Sequence, residues 1–415
     1  MLNYKNLSEQ DGEIMAVVKR EMNRQVEEME LIASENYVSK AVLEAMATVL
    51  TNKYSEGYAG HRYYGGNQYI DEAETIAIER AKKLFQAEHV NVQPLSGSPA
   101  NAAVYFAFIK PGDKVLGLRL DHGGHLSHGH PINFSGMLYN FTQYEVDIET
   151  GRINMDKVRE IALREKPKMI VAGYSAYSRE IEWQKFKDIA DEVGAFTFAD
   201  IAHTAGLIAA GEMANPVPFF DVVSTTTHKT LRGPRGAIIM CKEQFAKQIN
   251  RAVFPGMQGG PHDHITAAKA VAFGEALRPE FKQYAKQVIA NAKLMAEEFI
   301  KLGYRVISGG TDNHLMVVDM TSKGLAGKEA EVILERCGIS VSRSTIPNDP
   351  NPPMNPSGVR FGTPAITTRG IKEAEIKKIV GWINAGLEQK DEAEILDNIK
   401  NQVKEMCLEF PIPSI

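Results

Sequence analysis

Cysteine is scarce. Only Cys241, Cys337 and Cys407 occur in 415 residues, far apart and with no Cys-x-x-Cys pair. A disulfide framework is therefore not expected, and a reducing cytoplasm fits best. Long apolar runs are missing as well. None reaches the ~18 residues that a membrane span needs. The opening Met-Leu-Asn-Tyr-Lys lacks the apolar core of a secretory signal. The expectation is a cytoplasmic protein without a membrane partner. There is no basic excess: 47 Lys and Arg stand against 52 Asp and Glu, a net charge of −5, which argues against a nucleic-acid surface. Internal repeats and low-complexity tracts are absent too.

What remains is an ordinary globular composition, 44% hydrophobic and 24% charged, on a chain too long for one compact core. Residues 1–50 read as mostly helical, with an acidic amphipathic stretch near Val26–Leu31. Residues 51–69 break that pattern with Tyr54, Gly57, Tyr58, Gly60, Tyr63, Tyr64, Gly65 and Gly66, and read as a shaped loop before a helix over 71–86. Short β-rich runs follow at His89–Leu95, Lys114–Leu120, Lys168–Tyr174, Ala195–Ile201, Asp221–Thr227 and Gly236–Cys241. Alternating with helical segments, they predict an α/β fold, a mostly parallel sheet flanked by helices. In such folds sites gather at the carboxyl ends of the strands.

Near residue 280 the character changes. A long amphipathic helix over Phe281–Leu302 precedes strands near Arg305–Ile307, His314–Asp319, Gly338–Ser342 and Gly358–Gly362, with helices near 327–337 and 371–388. The expected division is 1–280, an N-terminal arm and a large domain, and 281–415, a smaller α+β domain. Pro347–Pro356 reads as a loop, because proline cannot donate to a ladder.

Five features could carry chemistry. The β-branched run Val222–Thr227 ends in His228-Lys229-Thr230 and then turns at Gly233-Pro234-Arg235-Gly236. A lysine at the end of a buried strand must be paired, neutralised or used covalently, as by an aldehyde cofactor. The plain alternative is a lysine that snorkels to water. Asp200 ends another run, with His203 three residues on. A carboxylate there can keep a pyridinium nitrogen protonated, or it can merely cap the next helix. The turn Ser96-Gly97-Ser98 opens an apolar helix and suits a phosphate, unless it is simple capping. The segment Asp121–His130 carries four histidines. Its glycine-broken spacing and lack of a nearby cysteine argue against a metal. A single imidazole stacked on a cofactor ring is the other role. Arg360, in a β-like segment, suits a bidentate clamp on a carboxylate, against the alternative of a solvated strand face.

With these residues in view, the chain resembles the serine hydroxymethyltransferase family. The resemblance is carried by Asn52–Gly66, Ser96–Asn101, Gly123–His128, Asp200–Gly206, Thr225–Gly236, Phe254–Pro261 and Gly358–Arg369, and it extends from about Ile32 to about Ile383. It implies a pyridoxal-phosphate enzyme of fold type I, aspartate-aminotransferase-like. It also implies a homodimer with composite active sites, or a tetramer of such dimers. The implied reaction converts L-serine and tetrahydrofolate reversibly to glycine and 5,10-methylenetetrahydrofolate by retro-aldol cleavage.

Carried over residue by residue, Lys229 holds the cofactor covalently, Asp200 faces the pyridine nitrogen, and His125 stacks on the ring. His203 and Ser175 lie on the 3′-oxygen side. Ser96, Gly97, Ser98 and His228 serve the phosphate, helped by Tyr54, Gly259 and Gly260 of a neighbouring subunit. Thr226 stands with His228 and Lys229 in the catalytic group. Ser34, Tyr64 and Arg360, with His203, match the substrate contacts, and Glu56 the acid/base carboxylate. Leu120, Gly124, His125 and Leu126 match folate contacts. Two folate stretches depart from the family. Its usual Asn-Lys-Asn is Ser342-Arg343-Ser344 here, and its frequent Ser-Pro-Phe is Pro352-Pro353-Met354. Asp121 and Ser127 replace the usual Ser or Ala and Thr. Two other readings share the fold: a folate-independent aldolase for β-hydroxy amino acids, or an enzyme for α-methylserine. A non-catalytic RNA-binding regulator is a third, against which the Lys229 and Asp200 pair and the acidic charge both stand.

Overall fold

Strands buried on both faces of a parallel sheet must be apolar along their whole length. In the computed structural model, which describes residues 4–415, all six apolar runs enter one seven-stranded sheet. They form β1 (His89–Asn91), β2 (Lys114–Leu118), β4 (Met169–Gly173), β5 (Phe196–Asp200), β6 (Val222–Thr226) and β7 (Ala237–Cys241). A further strand, β3 (Asn140–Tyr144), closes one edge. Its mixed Asn-Phe-Thr-Gln-Tyr sequence suits a half-covered edge and gives no apolar run to read.

The strand order is β1-β7-β6-β5-β4-β2-β3. From β6 to β3 all neighbours are parallel, whereas β7 runs antiparallel to both β6 and β1. The sheet is mostly parallel and flanked by helices, as the alternating runs predict. The register sets Asp200 beside Ser224. The carboxyl ends of β5 and β6 are therefore adjacent. The helix Gly97–Phe108 packs its alanines, Val104 and Tyr105 on the apolar faces of Val171, Phe198, Val222 and Ile239.

The chain forms two compact units. One is Ala41–Lys286, and the other joins the chain up to Lys40 with Gln287–Ile415. The residue sequence alone suggests a cut near 280 with the N-terminal arm in the large domain. In the structure the arm belongs to the second unit. Met29–Glu30 pairs in parallel with Ile339–Ser340, and the Leu31 carbonyl accepts from Gly362 N at 2.8 Å. A pairing between opposite ends of a chain leaves no local signal. The stretch Val26–Leu31 is accordingly the end of a helix, Gly12–Glu27, followed by that short strand. Buried Arg369 supplies the stop, donating to the carbonyls of Gln25 and Val26.

The second unit holds an antiparallel sheet of four strands: β8 (Arg305–Val306), β9 (Leu315–Asp319), β10 (Ser342–Ser344) and β11 (Gly358–Gly362), in the order β8-β9-β11-β10. Met29, Leu31, Phe299, Phe361 and Ile379 lie in its core. Among the described residues, no helix is long and apolar enough to cross a membrane.

Candidate active site

The large unit collects most of the singled-out residues at the ends of β4, β5 and β6. Asp200, the last residue of β5, is 9% exposed. Its Oδ2 accepts from Asn101 Nδ2 at 2.8 Å and His128 Nε2 at 3.1 Å, and its Oδ1 accepts from Ala202 N at 3.1 Å. Burial alone would raise this carboxyl. The hydrogen bond and charge of His128, with His125 and Asn101, outweigh it and hold Asp200 well below the usual carboxylate range. The next helix, Ala205–Ala209, has Thr204 at its N-cap, so Asp200 does not cap it.

Asn101 is the hub of this network. Its Oδ1 accepts from Ser224 Oγ at 2.6 Å, and its amide also donates to Ser127 Oγ at 2.8 Å. Ser127 Oγ in turn lies 2.6 Å from His125 Nδ1. His125 is thereby tied to Asp200 through two side chains. Gly173, at the end of β4, has φ +147°, and a Cβ there would fall 2.3 Å from the Asp200 carbonyl oxygen. Only glycine lets β4 end so close to Asp200. Ser175 follows, its N–H donating to the Gly123 carbonyl at 2.8 Å. This fastens the Leu120–Leu126 segment beside the strand ends.

Beyond β6, Thr226 and Lys229 are buried. One hydroxyl joins the loops after β5 and β6: Thr230 Oγ1 donates to the His203 carbonyl at 2.8 Å and accepts from Gly206 N at 3.0 Å. His228 Nδ1 is buried without a hydrogen-bond partner among the described residues. Burial pushes this imidazole down to about 3, with the charges of Arg235 and Lys229 acting in the same direction. Ser96 occupies the N-cap of Gly97–Phe108 but makes no side-chain capping bond. Simple capping therefore does not account for it. A Cβ on Gly97 would fall 2.8 Å from the Thr226 methyl.

The fold also draws the ligating atoms of His125, His128 and Asp200 to within 4.8 Å of one another. His128 was grouped with its neighbours only by sequence. Here it donates to Asp200, and Asn101 shares the same oxygen. That is a network of hydrogen bonds around a carboxylate.

A second group in the same unit joins Tyr54, Glu56, Tyr64, Gly259 and Gly260. The Tyr54 hydroxyl donates to Glu56 Oε1 at 3.3 Å, and the Tyr64 ring meets the Tyr54 ring edge-on at 5.1 Å. Cβ positions built on Gly259 and Gly260 would lie 3.1 Å from Glu56 Oε1 and 3.7 Å from the Tyr54 ring. The backbone around Glu56 is clamped. Arg62 Nη1 donates to the Ser55 and Gly57 carbonyls at 2.9 Å each, while Asp71 and Glu74 hold the guanidinium. Ser55 Oγ lies 2.7 and 2.8 Å from the two oxygens of buried Asp263.

In the other unit, Arg360 lies mid-strand in β11, its Nε 3.3 Å from Ser342 Oγ, and burial pulls its guanidinium down to about 10. Ser34 follows Ala33, whose Cα lies 2.4 Å from a Cβ built on Gly362. The arm segment bearing Ser34 thus lies against the strand bearing Arg360. Ser344 pairs with Gly358, and its hydroxyl donates to the Thr345 carbonyl at 3.2 Å. Pro352, Pro353 and Met354 are exposed. Asp349 fixes their loop by accepting from the N–H groups of Ile346, Asn351 and Ser357.

A family model described as serine hydroxymethyltransferase matches residues 7–383. The chain belongs to the serine hydroxymethyltransferase family. It is thus a pyridoxal-phosphate-dependent transferase of fold type I, from a family of one-carbon metabolism. Within this family member, several residues of the site went without a role in the sequence reading: Asn101, His128, Ser224, Arg62, Asp263 and Lys269. Arg62, Asn101 and His128 lie in the segments that carry the family resemblance. Lys269 had a signal of its own, one charge inside the apolar Ala267–Ala272 stretch. Ser224 and Asp263 are joined to the site only by long-range contacts.

Proposed function

We propose that this chain interconverts L-serine and glycine, passes the one-carbon unit to tetrahydrofolate as 5,10-methylenetetrahydrofolate, and carries pyridoxal phosphate on Lys229. The supporting observation is the state of Asp200. A buried carboxylate kept ionised by three hydrogen bonds suits a protonated pyridine nitrogen. The remaining residues fit the cofactor. The unpartnered Nδ1 of His228, the uncapped first turn at Ser96–Ser98 and the side-chain-free backbone at Gly97, where a Cβ would meet the Thr226 methyl, suit its phosphate. Two lysines are buried among the described residues, Lys229 and Lys269. Lys269 directs its ammonium at three carbonyls, which leaves Lys229 as the residue for covalent use.

When bound, pyridoxal phosphate supplies an electron sink for the pair released as the serine Cα–Cβ bond breaks. The chain does the rest. His125 stacks on the ring, oriented through Ser127. His203 and Ser175 serve the 3′-oxygen side. Ser34, Tyr64 and Arg360 take the substrate carboxylate, and Glu56 moves the proton at the serine hydroxyl oxygen. Leu120, Gly124, Leu126, Ser344 and Pro352–Met354 contact the folate. Tyr54, Gly259 and Gly260 serve a neighbouring subunit's phosphate in a homodimer. Tyr54, Tyr63, Tyr64 and Tyr69 are each at least half exposed, which supports a self-complementary aromatic surface in that region. The cytoplasm is the proposed location.

Glycine formation from serine, and threonine cleavage, are to be measured with and without tetrahydrofolate. The expected result is serine turnover that depends on tetrahydrofolate. Threonine cleavage that outpaces serine turnover, with no response to folate, would identify an aldolase instead. No turnover on either would favour a non-catalytic role.

A further inference from the structure

Lys269 sits mid-way along the helix Asp263–Ala276 and is 2% exposed. A lysine so deep needs partners for its charge. Its Nζ donates to the carbonyls of Val92 at 2.6 Å, Ala237 at 2.9 Å and Pro94 at 3.0 Å. An ammonium has three protons and no acceptor, so donors and acceptors match one for one. The acid whose charge it feels, Glu74, is already engaged by Arg62 at 3.0 Å and Gln93 at 2.9 Å. No carboxylate forms an ion pair with Lys269 among the described residues.

The three carbonyls lie on the backbones that lead into the candidate site. Val92 and Pro94 belong to the extended segment between β1 and the Ser96–Ser98 turn. Ala237 opens β7 just after Gly236, whose carbonyl accepts from Thr227 N at 3.0 Å. Ala237 N also donates to the Pro94 carbonyl at 3.2 Å. Lys269 therefore joins the segment that ends in Ser96–Ser98 to the one that braces Thr226–Lys229. A Cβ on Gly236 would fall 2.5 Å from Lys269 Cε, so a glycine there lets the side chain through. None of these contacts reaches a reacting atom.

We propose that Lys269 is a positioning residue, a buried tether that fixes the Ser96–Ser98 turn relative to the Thr226–Lys229 segment and so sets cofactor affinity. This rests on the reading of those two segments as the cofactor's cradle. Burial works against the ammonium and pushes its pKa down to about 7. The charge of Glu74 acts in the other direction, and the three carbonyls give the Nζ protons acceptors in place of water.

The test titrates pyridoxal phosphate into the full-length cofactor-free protein and follows the bound-cofactor absorbance and the dissociation rate. Lys269→Met removes the donors and keeps most of the apolar stem. It should bind cofactor at least ~10-fold more weakly, through faster dissociation. Gly236→Ala keeps the lysine but crowds it, and should weaken binding in the same direction. Because Lys269→Ala makes room for that methyl, the double variant Gly236→Ala/Lys269→Ala should lose less than the product of the two single losses. Wild-type affinity in folded Lys269→Met overturns the proposal, even if its melting temperature falls, since Lys269 would then be structural only. If Lys269→Met does not fold, wild-type affinity in Gly236→Ala overturns it. Fully multiplicative losses in the double variant also overturn it. Lys229→Ala is the control for the underlying reading: a covalent-type absorbance band that survives there defeats the reading of Lys229, whatever Lys269 does.

Discussion

Two carboxylates of the large unit are buried alike and titrate in opposite directions. Asp200 accepts from His128, Asn101 and the Ala202 N–H, and stays ionised well below the usual range. Asp263 is 3% exposed and is raised by its burial, which the Ser55 hydroxyl and the charges of Arg62 and Lys53 do not offset. Burial opposes the charge in both, and the number and strength of the donors decide the outcome. Ser55 has one hydroxyl proton for two carboxyl oxygens within 2.8 Å, so it can serve only one of them at a time. The region of Asp200 is thus built to hold a charge. The region of Asp263 is built to hold the backbone on which Glu56 stands.

The comparison breaks first at Asp200. Asp200→Asn keeps the shape and removes the charge, and turnover should fall at least ~100-fold, about 3 kcal/mol. The rate is to be measured at full cofactor occupancy. Near-normal turnover would reduce Asp200 to a backbone anchor.

Arg360 extends the contrast to a half-buried cation. Its guanidinium is pulled down to about 10 by burial, so it gains most from an anionic ligand. Arg360→Ala should weaken serine binding by about 2 kcal/mol or more while cofactor affinity is retained. Equal losses of both would contradict a carboxylate clamp.

A smaller effect is expected at Ser344. Its hydroxyl is already directed at the Thr345 carbonyl. Reaching a pterin would then call for a bridging water, at up to ~2 kcal/mol of ordering. Ser344→Asn should tighten tetrahydrofolate binding, by about 1 kcal/mol, and leave threonine cleavage unchanged. The competing reading gives the pterin contact to Arg343 or Asn348 of the same loop; if Ser344→Asn, Arg343→Ala and Asn348→Ala all leave folate affinity alone, this loop does not hold the acceptor.

The subtlest consequence concerns Asp263. A carboxyl raised in the folded state keeps its proton after the unfolded chain has lost its own. Stability therefore falls as pH climbs from the usual carboxylate range through the folded value. Asp263→Asn has no such proton and should lack that component of the fall. Denaturation curves whose pH dependence is identical in the two proteins would contradict a carboxyl raised by burial at Asp263.

These contrasts also mark how far the sequence could be read. The apolar runs announce six of the seven strands, because strands buried on both faces cannot hide their composition. Asp200 and Lys229 stand out for the same reason, as charges that interrupt such runs. The edge strand Asn140–Tyr144 has no run to announce it. The arm strand Met29–Glu30 depends on a partner at the far end of the chain. The hydrogen bonds of Asn101 to Asp200, Ser127 and Ser224 are equally non-local. Motif reading therefore found the residue and not its work. The clamp of Arg62 on both sides of Glu56 is local, within one loop, but an aperiodic loop gives no sign of which carbonyls a guanidinium reaches.

The identity of the lysine that carries the cofactor is the central point. Borohydride reduction of the loaded protein, followed by peptide mass mapping, decides it. The predicted result is a reduced pyridoxal-phosphate adduct on Lys229 and none on Lys269. An adduct on Lys269 or elsewhere, with Lys229 unmodified, would contradict it.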